Sequence, residues 1–395
     1  MKNNRIVYCK NGDVVDELAK LSDNCEIVGG GPEHYISSFL NWAAGNKCLL
    51  ISANTENKEL QRGDVNAVVF RRNGREVSSA NRLLGEIFLI GKIIYRIVKF
   101  RPTQILCASG GPPMYACFLA AKLVGAVLVC SRHGSVSPVK QKLEKRVMVF
   151  LDKKVLKNSD GVICHGRYLY EELIDVGVKE SRLLEFNLSY SYILKEMGQS
   201  AVELPKLVQS CPIKILYVGR IRRDKGALDL VEAMKPILEK YSHVGLVIAG
   251  YGEDQKKLQE RIAEIKDHSR IVFLGKTPHD AVLSLYRQCS VTVTPTHRTS
   301  TESRCKVAVE SFVCGTPVVA PKFGPFNYLV EDGVNGLFYH PENIADLTGK
   351  LETLILDEKL LNKLGGGAKT WGSGVLESKQ DYIDVLPRVF AVGGR

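Results

Sequence analysis

The chain has 395 residues, 45% hydrophobic and 25% charged, with 35 Gly and 15 Pro. That length predicts two domains, each able to bury its own core, and the composition excludes a largely disordered, collagen-like or disulfide-stapled protein. Lys and Arg number 54 against 43 Asp and Glu, a net charge of +11, so an anionic partner is expected: nucleic acid, a phosphorylated small molecule or an acidic membrane.

Short apolar runs alternate with longer amphipathic stretches along the chain. Strands are expected at residues 5–9, 48–52, 67–70, 104–108, 127–132, 161–165 and 183–187, with helices at 33–44, 82–100, 113–124 and 139–157. Residues 1–8 lack a secretory layout. Residues 83–100 are apolar but interrupted by Glu86, Lys92, Arg96 and Lys99, so they do not form a membrane span of about 20 apolar residues. Residues 198–212, with Pro205 and Pro212, suit a linker. The pattern then restarts, with strands at 213–218, 245–249, 270–274, 291–294 and 317–320 and helices at 227–241, 255–267, 279–288, 306–314 and 344–364. A glycine run at 365–367 precedes a last helix, 378–391, expected to return to the first domain. Strand–helix alternation means parallel sheets with crossover helices. The expected fold class is therefore α/β, with two doubly wound Rossmann-like domains: 1–205, completed by 376–395, and 206–375.

The 11 cysteines are widely spaced, with no C-x-x-C pair and no zinc-like Cys/His spacing. They are expected to be reduced thiols with packing roles, and no metal site is expected.

Chemistry concentrates in the second half. Strand 213–218 ends at Gly219 and runs into Arg220, Arg222, Arg223, Asp224 and Lys225. In an open α/β sheet, ligands bind beyond the carboxyl ends of strands, and Arg forks and Lys point charges suit phosphate oxygens. The next strand ends Gly250-Tyr251-Gly252, and the one after it Leu274-Gly275-Lys276. Glu302 and Glu310 bracket the entrance of helix 306–314, whose first N–H groups and dipole make an anion site. Glu302 is placed either to stabilise that dipole or to accept hydrogen bonds from sugar hydroxyls. Glu310 lies in an apolar run and needs a partner, such as a ribose diol.

These landmarks, in this order and with Gly315-Thr316-Pro317-Val318-Val319 and Gly333-Val334-Asn335-Gly336 after them, resemble the retaining glycosyltransferase family 4. The resemblance implies GT-B architecture, two Rossmann-like domains facing a central cleft, a nucleotide-sugar donor and no metal or other cofactor. It implies that Arg220 and Lys225 hold the diphosphate, Glu310 the ribose and Glu302 the donor sugar. Gly219, Gly250, Leu274, Gly275, Lys276, Arg304, Cys305, Lys306 and Val307 complete the donor site. Cys305 stands where the family usually has glycine. In the first half, Val127–Gly134 resembles the family's strand that ends in a histidine facing the donor sugar, which makes His133 a catalytic candidate. Gly29, Gly30 and Gly31 resemble its glycine-rich loop beside the phosphates or acceptor. Neither Gly29–Gly31 nor residues 365–370 is a full dinucleotide or P-loop fingerprint.

The reaction expected is retaining transfer of a hexosyl or N-acetylhexosaminyl group to an acceptor hydroxyl, from a UDP-sugar in preference to a GDP-sugar. A nucleotide-sugar 2-epimerase and a non-catalytic nucleotide-sugar-binding subunit are the alternatives. Nucleic acid is not expected as a partner, because basic residues are not interleaved with aromatics and no recognised motif is present. Residues 71–157 hold 17 basic and 4 acidic residues, and a basic amphipathic helix reads either as a membrane-surface binder or as a solvated helix face. The expectation is an enzyme of the cytoplasmic membrane face, touching anionic lipid through 82–101 and 140–157 and acting on a glycan or lipid-linked acceptor.

Overall fold

Continuous Val, Ile and Leu runs make strands buried on both faces, which is the requirement of a parallel sheet covered by helices. The computed structural model describes residues 4–21, 32–73, 79–136, 143–187, 190–196, 198, 200–300, 302–376 and 381–393. It forms two units, Met1–Leu188 with Lys379–Arg395, and Ser189–Ser378.

The first unit holds strands β1 (Arg5–Lys10), β2 (Lys47–Asn54), β3 (Lys58–Arg62), β4 (Val65–Arg71), β5 (Gln104–Ala108), β6 (Val127–Arg132), β7 (Gly161–His165) and β8 (Leu183–Phe186). Their order across the sheet is β3-β4-β2-β1-β5-β6-β7-β8. Only the edge pair β3–β4 is antiparallel. The helices are α1 (Val14–Lys20), α2 (Pro32–Trp42), α3 (Ser79–Phe100), α4 (Pro112–Val124), α5 (Leu143–Asn158) and α6 (Arg167–Val176). Three of these elements, α1, β3 and α6, are not among the ranges expected above. Asp13 caps α1 by accepting from the N–H groups of Val15 and Asp16, and β3 is a polar strand that alternates with solvent.

The second unit holds helices α7 (Ser191–Glu196) and α8 (Lys206–Gln209), then strand β9 (Ile213–Val218), helix α9 (Ala227–Lys240), β10 (Val244–Ala249), α10 (Gln255–Ala263), β11 (Ile271–Gly275), α11 (His279–Gln288), β12 (Val291–Val293), α12 (Lys306–Val313), β13 (Val318–Pro321), β14 (Gly336–Tyr339), α13 (Ile344–Leu356) and α14 (Glu358–Leu376). Its sheet is parallel throughout, in the order β11-β10-β9-β12-β13-β14. The direction of winding reverses between β9 and β12, so the carboxyl ends of those strands form the switch point where α/β sheets bind ligands.

The division falls at residue 188 rather than 205. Residues after it are tied into the second unit: Ser200 Oγ donates to Asp280, and Gln288 Nε2 donates to the Val202 carbonyl (3.2 Å). The stretch read as a linker contains α8, whose Val208 is buried. The chain returns at the end, as the last helix, α15 (Tyr382–Gly393), packs on α2 and β6–β8. There Trp42 and Phe390 stack with centroids 4.9 Å apart.

Helix 344–364 is in fact two helices, broken at Asp357, whose carboxylate accepts from the Leu360 N–H (2.9 Å). The glycine run is not a break but lies inside α14. A Cβ at Gly367 would lie 2.0 Å from the Val334 carbonyl oxygen, so glycine there permits a helix–loop approach that any side chain would block. Among the described residues, no helix is long and apolar enough to cross a membrane.

Candidate functional site

β9 is a buried strand whose last residue leads straight into a turn. Gly219 N–H donates to the Ala249 carbonyl (3.0 Å) and Gly250 N–H to the Gly275 carbonyl (2.8 Å), so the carboxyl ends of β9, β10 and β11 are knitted together. Gly250 has φ +153°, and a Cβ there would stand 1.8 Å from the Gly219 carbonyl oxygen. The close approach of these strand ends therefore requires glycine. The Tyr217 hydroxyl donates to the Arg220 carbonyl (2.9 Å) and fixes the turn from beneath.

The turn carries the basic cluster. Arg222 pairs with Asp224, and Lys225 Nζ lies 2.5 Å from Glu302 Oε2. The Arg223 N–H donates to Asp254 (2.8 Å). The Arg220 side chain is exposed and has no ion-pair partner among the described residues. The Lys225–Glu302 pair joins two residues 77 apart in sequence. It places the basic turn after β9 beside the entrance of α12.

α12 begins at Cys305, its N-cap. The Cys305 backbone is extended (φ −72°, ψ 95°), its side chain is buried, and it makes no side-chain cap bond. Glycine is thus not required conformationally at 305, and the cysteine leaves the opening N–H groups, at Lys306 and Val307, without a side-chain cap from that position. A helix start whose cap residue makes no side-chain bond, with Lys225 held near it by Glu302, suits an anion. The Arg304 guanidinium lies 5.9 Å from the centroid of buried Tyr190.

Glu310 is buried at 3% exposure on α12. His279 Nε2 is 2.8 Å from its Oε1, Lys306 Nζ is 3.2 Å from the same oxygen, and the Tyr286 hydroxyl donates to Oε2 (3.3 Å). Burial pushes the Glu310 carboxyl upward, but the His279 hydrogen bond and the Lys306 charge outweigh it and hold the carboxyl below its ordinary value. Burial pulls His279 down, and Glu310 and Glu196 (2.7 Å from Nδ1) outweigh it in turn, raising the imidazole. The result is a hydrogen-bonded Glu196–His279–Glu310 chain that ends on α12.

Leu274, Gly275 and Lys276 end the outer strand β11, where Lys276 Nζ lies 5.6 Å from the Tyr251 ring centroid. The structure brings together Gly219, Arg220, Lys225, Gly250, Glu302, Cys305, Lys306, Val307 and Glu310 along the carboxyl edge of one sheet. His279, Glu196 and Tyr286 escape sequence reading. His279 stands only as the first residue of an amphipathic helix, and its partners lie 83 and 31 residues away. A concavity of about 670 Å³, lined by Ile213, Ser290 and Pro317, lies at the opposite, amino ends of β9, β12 and β13, away from these groups.

In the first unit, His133 follows β6 at its carboxyl end. Its Nε2 shares a hydrogen bond with Ser131 Oγ (2.9 Å), and its ring meets Tyr35 edge-on at 4.5 Å. Burial, then the charges of Arg132 and Lys10, push the imidazole down to about 3. His133 is therefore neutral at pH 7 and offers a hydrogen bond rather than a positive charge. Gly29, Gly30 and Gly31 lie outside the described residues.

The first unit also gathers cysteines that sequence spacing keeps apart. Parallel register sets Cys9 beside Cys107, and α4 adds Cys117, with the three Sγ atoms within 4.8 Å of one another in a fully buried core. It is the one group of metal-capable spacing among the described residues, and it lies in the apolar core beneath the sheet. All ten described cysteines are thiols.

Residues 205–371 match the family described as Glycosyl transferases group 1, and residues 29–184 match Glycosyltransferase Family 4. A glycosyltransferase of Methanocaldococcus jannaschii is 30% identical over 263 residues, covering 65% of this chain and 68% of that protein. The Anabaena protein HepE, solved in complex with UDP, superposes with a TM-score of 0.66 at 17% identity over 98% of each chain. A sucrose-phosphate synthase from Thermosynechococcus elongatus gives 0.70 at 19% identity, covering 99% of this chain and 97% of that one. The chain belongs to the family 4 glycosyltransferases of GT-B architecture.

Proposed function

We propose that the chain transfers a hexosyl or N-acetylhexosaminyl group from UDP to an acceptor hydroxyl, with retention at the anomeric carbon. One observation carries the donor reading. Arg220, exposed and without an ion-pair partner among the described residues, and Lys225, paired to Glu302 near the start of α12, lie in the turn after β9 at the switch point of the sheet, and the cap residue of α12, Cys305, makes no side-chain cap bond. A departing nucleoside diphosphate develops negative charge on its bridging oxygen. Fixed cations and helix N–H groups stabilise that charge more in the transition state than in the bound donor. These groups supply the neutralisation that a divalent metal gives in other transferases, so transfer proceeds without one. The choice of UDP is supported by the UDP complex of the Anabaena neighbour.

Glu302 receives the donor sugar's hydroxyls while Lys225 holds its carboxylate. Glu310 receives the ribose. A carboxylate offers about four acceptor positions, and His279, Lys306 and Tyr286 orient it before the donor arrives. Retention rests on the resemblance of the Glu302–Glu310 spacing to the retaining enzymes. Attack on the face the leaving group departs from requires the diphosphate to stay held while the acceptor oxygen approaches, and the cation set provides for that. His133, as a neutral imidazole, orients a hydroxyl rather than supplying charge. The acceptor is a lipid-linked or glycoconjugate hydroxyl at the cytoplasmic membrane face, approached through the basic segments 82–101 and 140–157.

The test is UDP release from a panel of UDP-sugars in the presence of membrane extract, with the anomeric proton coupling of the product read by NMR. Donor-dependent UDP release that falls at least a hundredfold in Arg220→Ala, with an α-linked product from an α-linked donor, is expected. Release that is indifferent to Arg220→Ala would overturn the site assignment, and an inverted product would overturn retention.

A further inference from the structure

Helix α3 is apolar on two sides. Leu89, Ile93 and Ile97 face the core at 3% exposure or less, while Leu83, Leu84, Ile87 and Phe88 stand in water at 55–70% exposure. A helix that is apolar beyond its core-facing stripe has a second apolar surface to satisfy. On α5, Val147 (54%) and Phe150 (66%) are exposed in the same way.

These residues belong to one face of the first unit. α3, α4 and α5 occupy successive crossovers between parallel strands β4, β5, β6 and β7, which all move the same way across the sheet. Crossovers of one hand place such helices on the same face, and α4 packs against both α3 and α5. The Tyr115 hydroxyl donates to the Met148 carbonyl (2.9 Å), pinning the start of α5 to the start of α4. Each crossover helix runs opposite to its strands. The exposed groups of α3 and α5 therefore sit in the amino-terminal turns, toward the carboxyl ends of the strands, the ligand-binding edge of such a sheet.

The surround is basic. Of the acidic side chains described between 79 and 157, Glu86 is paired with Arg72, and Asp152 accepts from the Gly111 N–H and the Tyr115 hydroxyl. Lys92, Lys99, Arg101, Arg146 and Lys154 are exposed around the apolar groups. An apolar ridge with a cationic surround is complementary to a bilayer of anionic headgroups over hydrocarbon. A second copy of this chain would set two such basic surfaces against each other.

We infer that the amino-terminal turns of α3 and α5 insert Leu84, Phe88 and Phe150 into an anionic bilayer, holding the strand edge of the first unit at the membrane surface. This rests on the membrane-facing reading of the acceptor and deepens it from electrostatic attraction to apolar insertion.

Flotation with phosphatidylcholine vesicles, with and without half phosphatidylglycerol, tests it at about 0.1 and 0.5 M salt, salts at which exposed charges are progressively screened. Binding to the anionic vesicles that survives in part at the higher salt, and that falls at least tenfold in Leu84→Glu/Phe88→Glu, is expected. Far-UV circular dichroism and the melting temperature serve as the folding control. Phe88→Trp gives an independent reading: its added emission shifts to the blue and is quenched by brominated lipid. If the double variant floats like the parent, or the added tryptophan keeps a water-exposed emission, insertion is overturned while electrostatic membrane binding stands. A parent that floats with neither vesicle overturns both, leaving glycosyl transfer to be decided by UDP release. A dimer in solution that the double variant dissociates assigns the ridge to a second copy and overturns insertion.

Discussion

His279 Nε2 lies 2.8 Å from Glu310 Oε1, and this contact joins those of Lys306 and Tyr286 in holding a buried carboxylate in one orientation. Glu196 holds the other ring nitrogen at 2.7 Å, so the imidazole cannot rotate without breaking a second hydrogen bond. The carboxylate proposed to bind the donor is thus oriented by a chain of two side chains that do not belong to α12.

His279→Ala removes a charge-assisted hydrogen bond worth about 1.5–3 kcal/mol. In a unit of this size the melting temperature is expected to fall by about 3–10 °C. The donor KM rises about tenfold with a smaller change in kcat, because ground-state orientation of Glu310 is lost. The pH signs differ for the two partners. The raised pKa of His279 means its contribution is complete below about 6.5, the ordinary value, and is lost as pH climbs through the folded value. The lowered pKa of Glu310 means its contribution is complete above about 4.3 and is lost as pH falls through the folded value. Donor affinity measured against pH should therefore fall on the alkaline side in the parent and lose that dependence in His279→Ala. An unchanged KM and pH profile would make the contact structural only.

Lys225 and Glu302 are expected to act as a unit. Lys225→Ala should lower kcat/KM for the donor about a hundredfold, roughly 2.7 kcal/mol, by removing diphosphate stabilisation and leaving Glu302 without its cation. A double-mutant cycle with Glu302→Ala should show a coupling of about 0.5–3 kcal/mol in kcat/KM. Additive losses would mean that the 2.5 Å pair carries no functional coupling.

Gly250→Ala should cost about 3 kcal/mol or more, from overpacking and backbone strain together. The added Cβ would meet the Gly219 carbonyl at 1.8 Å, and φ is +153°. Gly349→Ala is the control. It lies in α13, with nothing within 4 Å of the added carbon, and should gain about 0.5–1 kcal/mol. Chemical denaturation of the two variants checks the pair.

His133 gives the first unit an acid weakness. Its folded pKa of about 3 lies below the ordinary 6.5, so the unfolded chain binds a proton that the folded one does not, and stability rises with pH between those values. The cost is about 2 kcal/mol on acidification from pH 7 to 5. His133→Asn should remove that share of the pH dependence of unfolding. An identical slope in the variant would contradict a buried neutral imidazole.

The periodicity of the sequence reveals both sheets, because strands buried on both faces read as unbroken apolar runs. It misses β3, whose Lys-Glu-Leu-Gln-Arg pattern lies on a solvent-facing edge, and it stops α14 at glycines that the helix needs for close approach to Val334. The proposed donor site is legible where its residues follow a strand end, as Gly219–Lys225 do, or open a helix, as Glu302–Glu310 do. His279 and Glu196 are not legible, since their meaning is a tertiary contact. The exposed ridge of α3 is hidden for a related reason: Leu84 and Leu89 look alike in sequence, and only packing decides which of them faces the core.

Arg220, Lys225 and the start of α12 are proposed to hold the diphosphate of the donor. Isothermal titration of UDP and of uridine into the parent, Arg220→Ala and Lys225→Ala tests it directly. Each substitution is expected to weaken UDP at least tenfold and to leave uridine unchanged. Equal weakening of both ligands, or of neither, would contradict it.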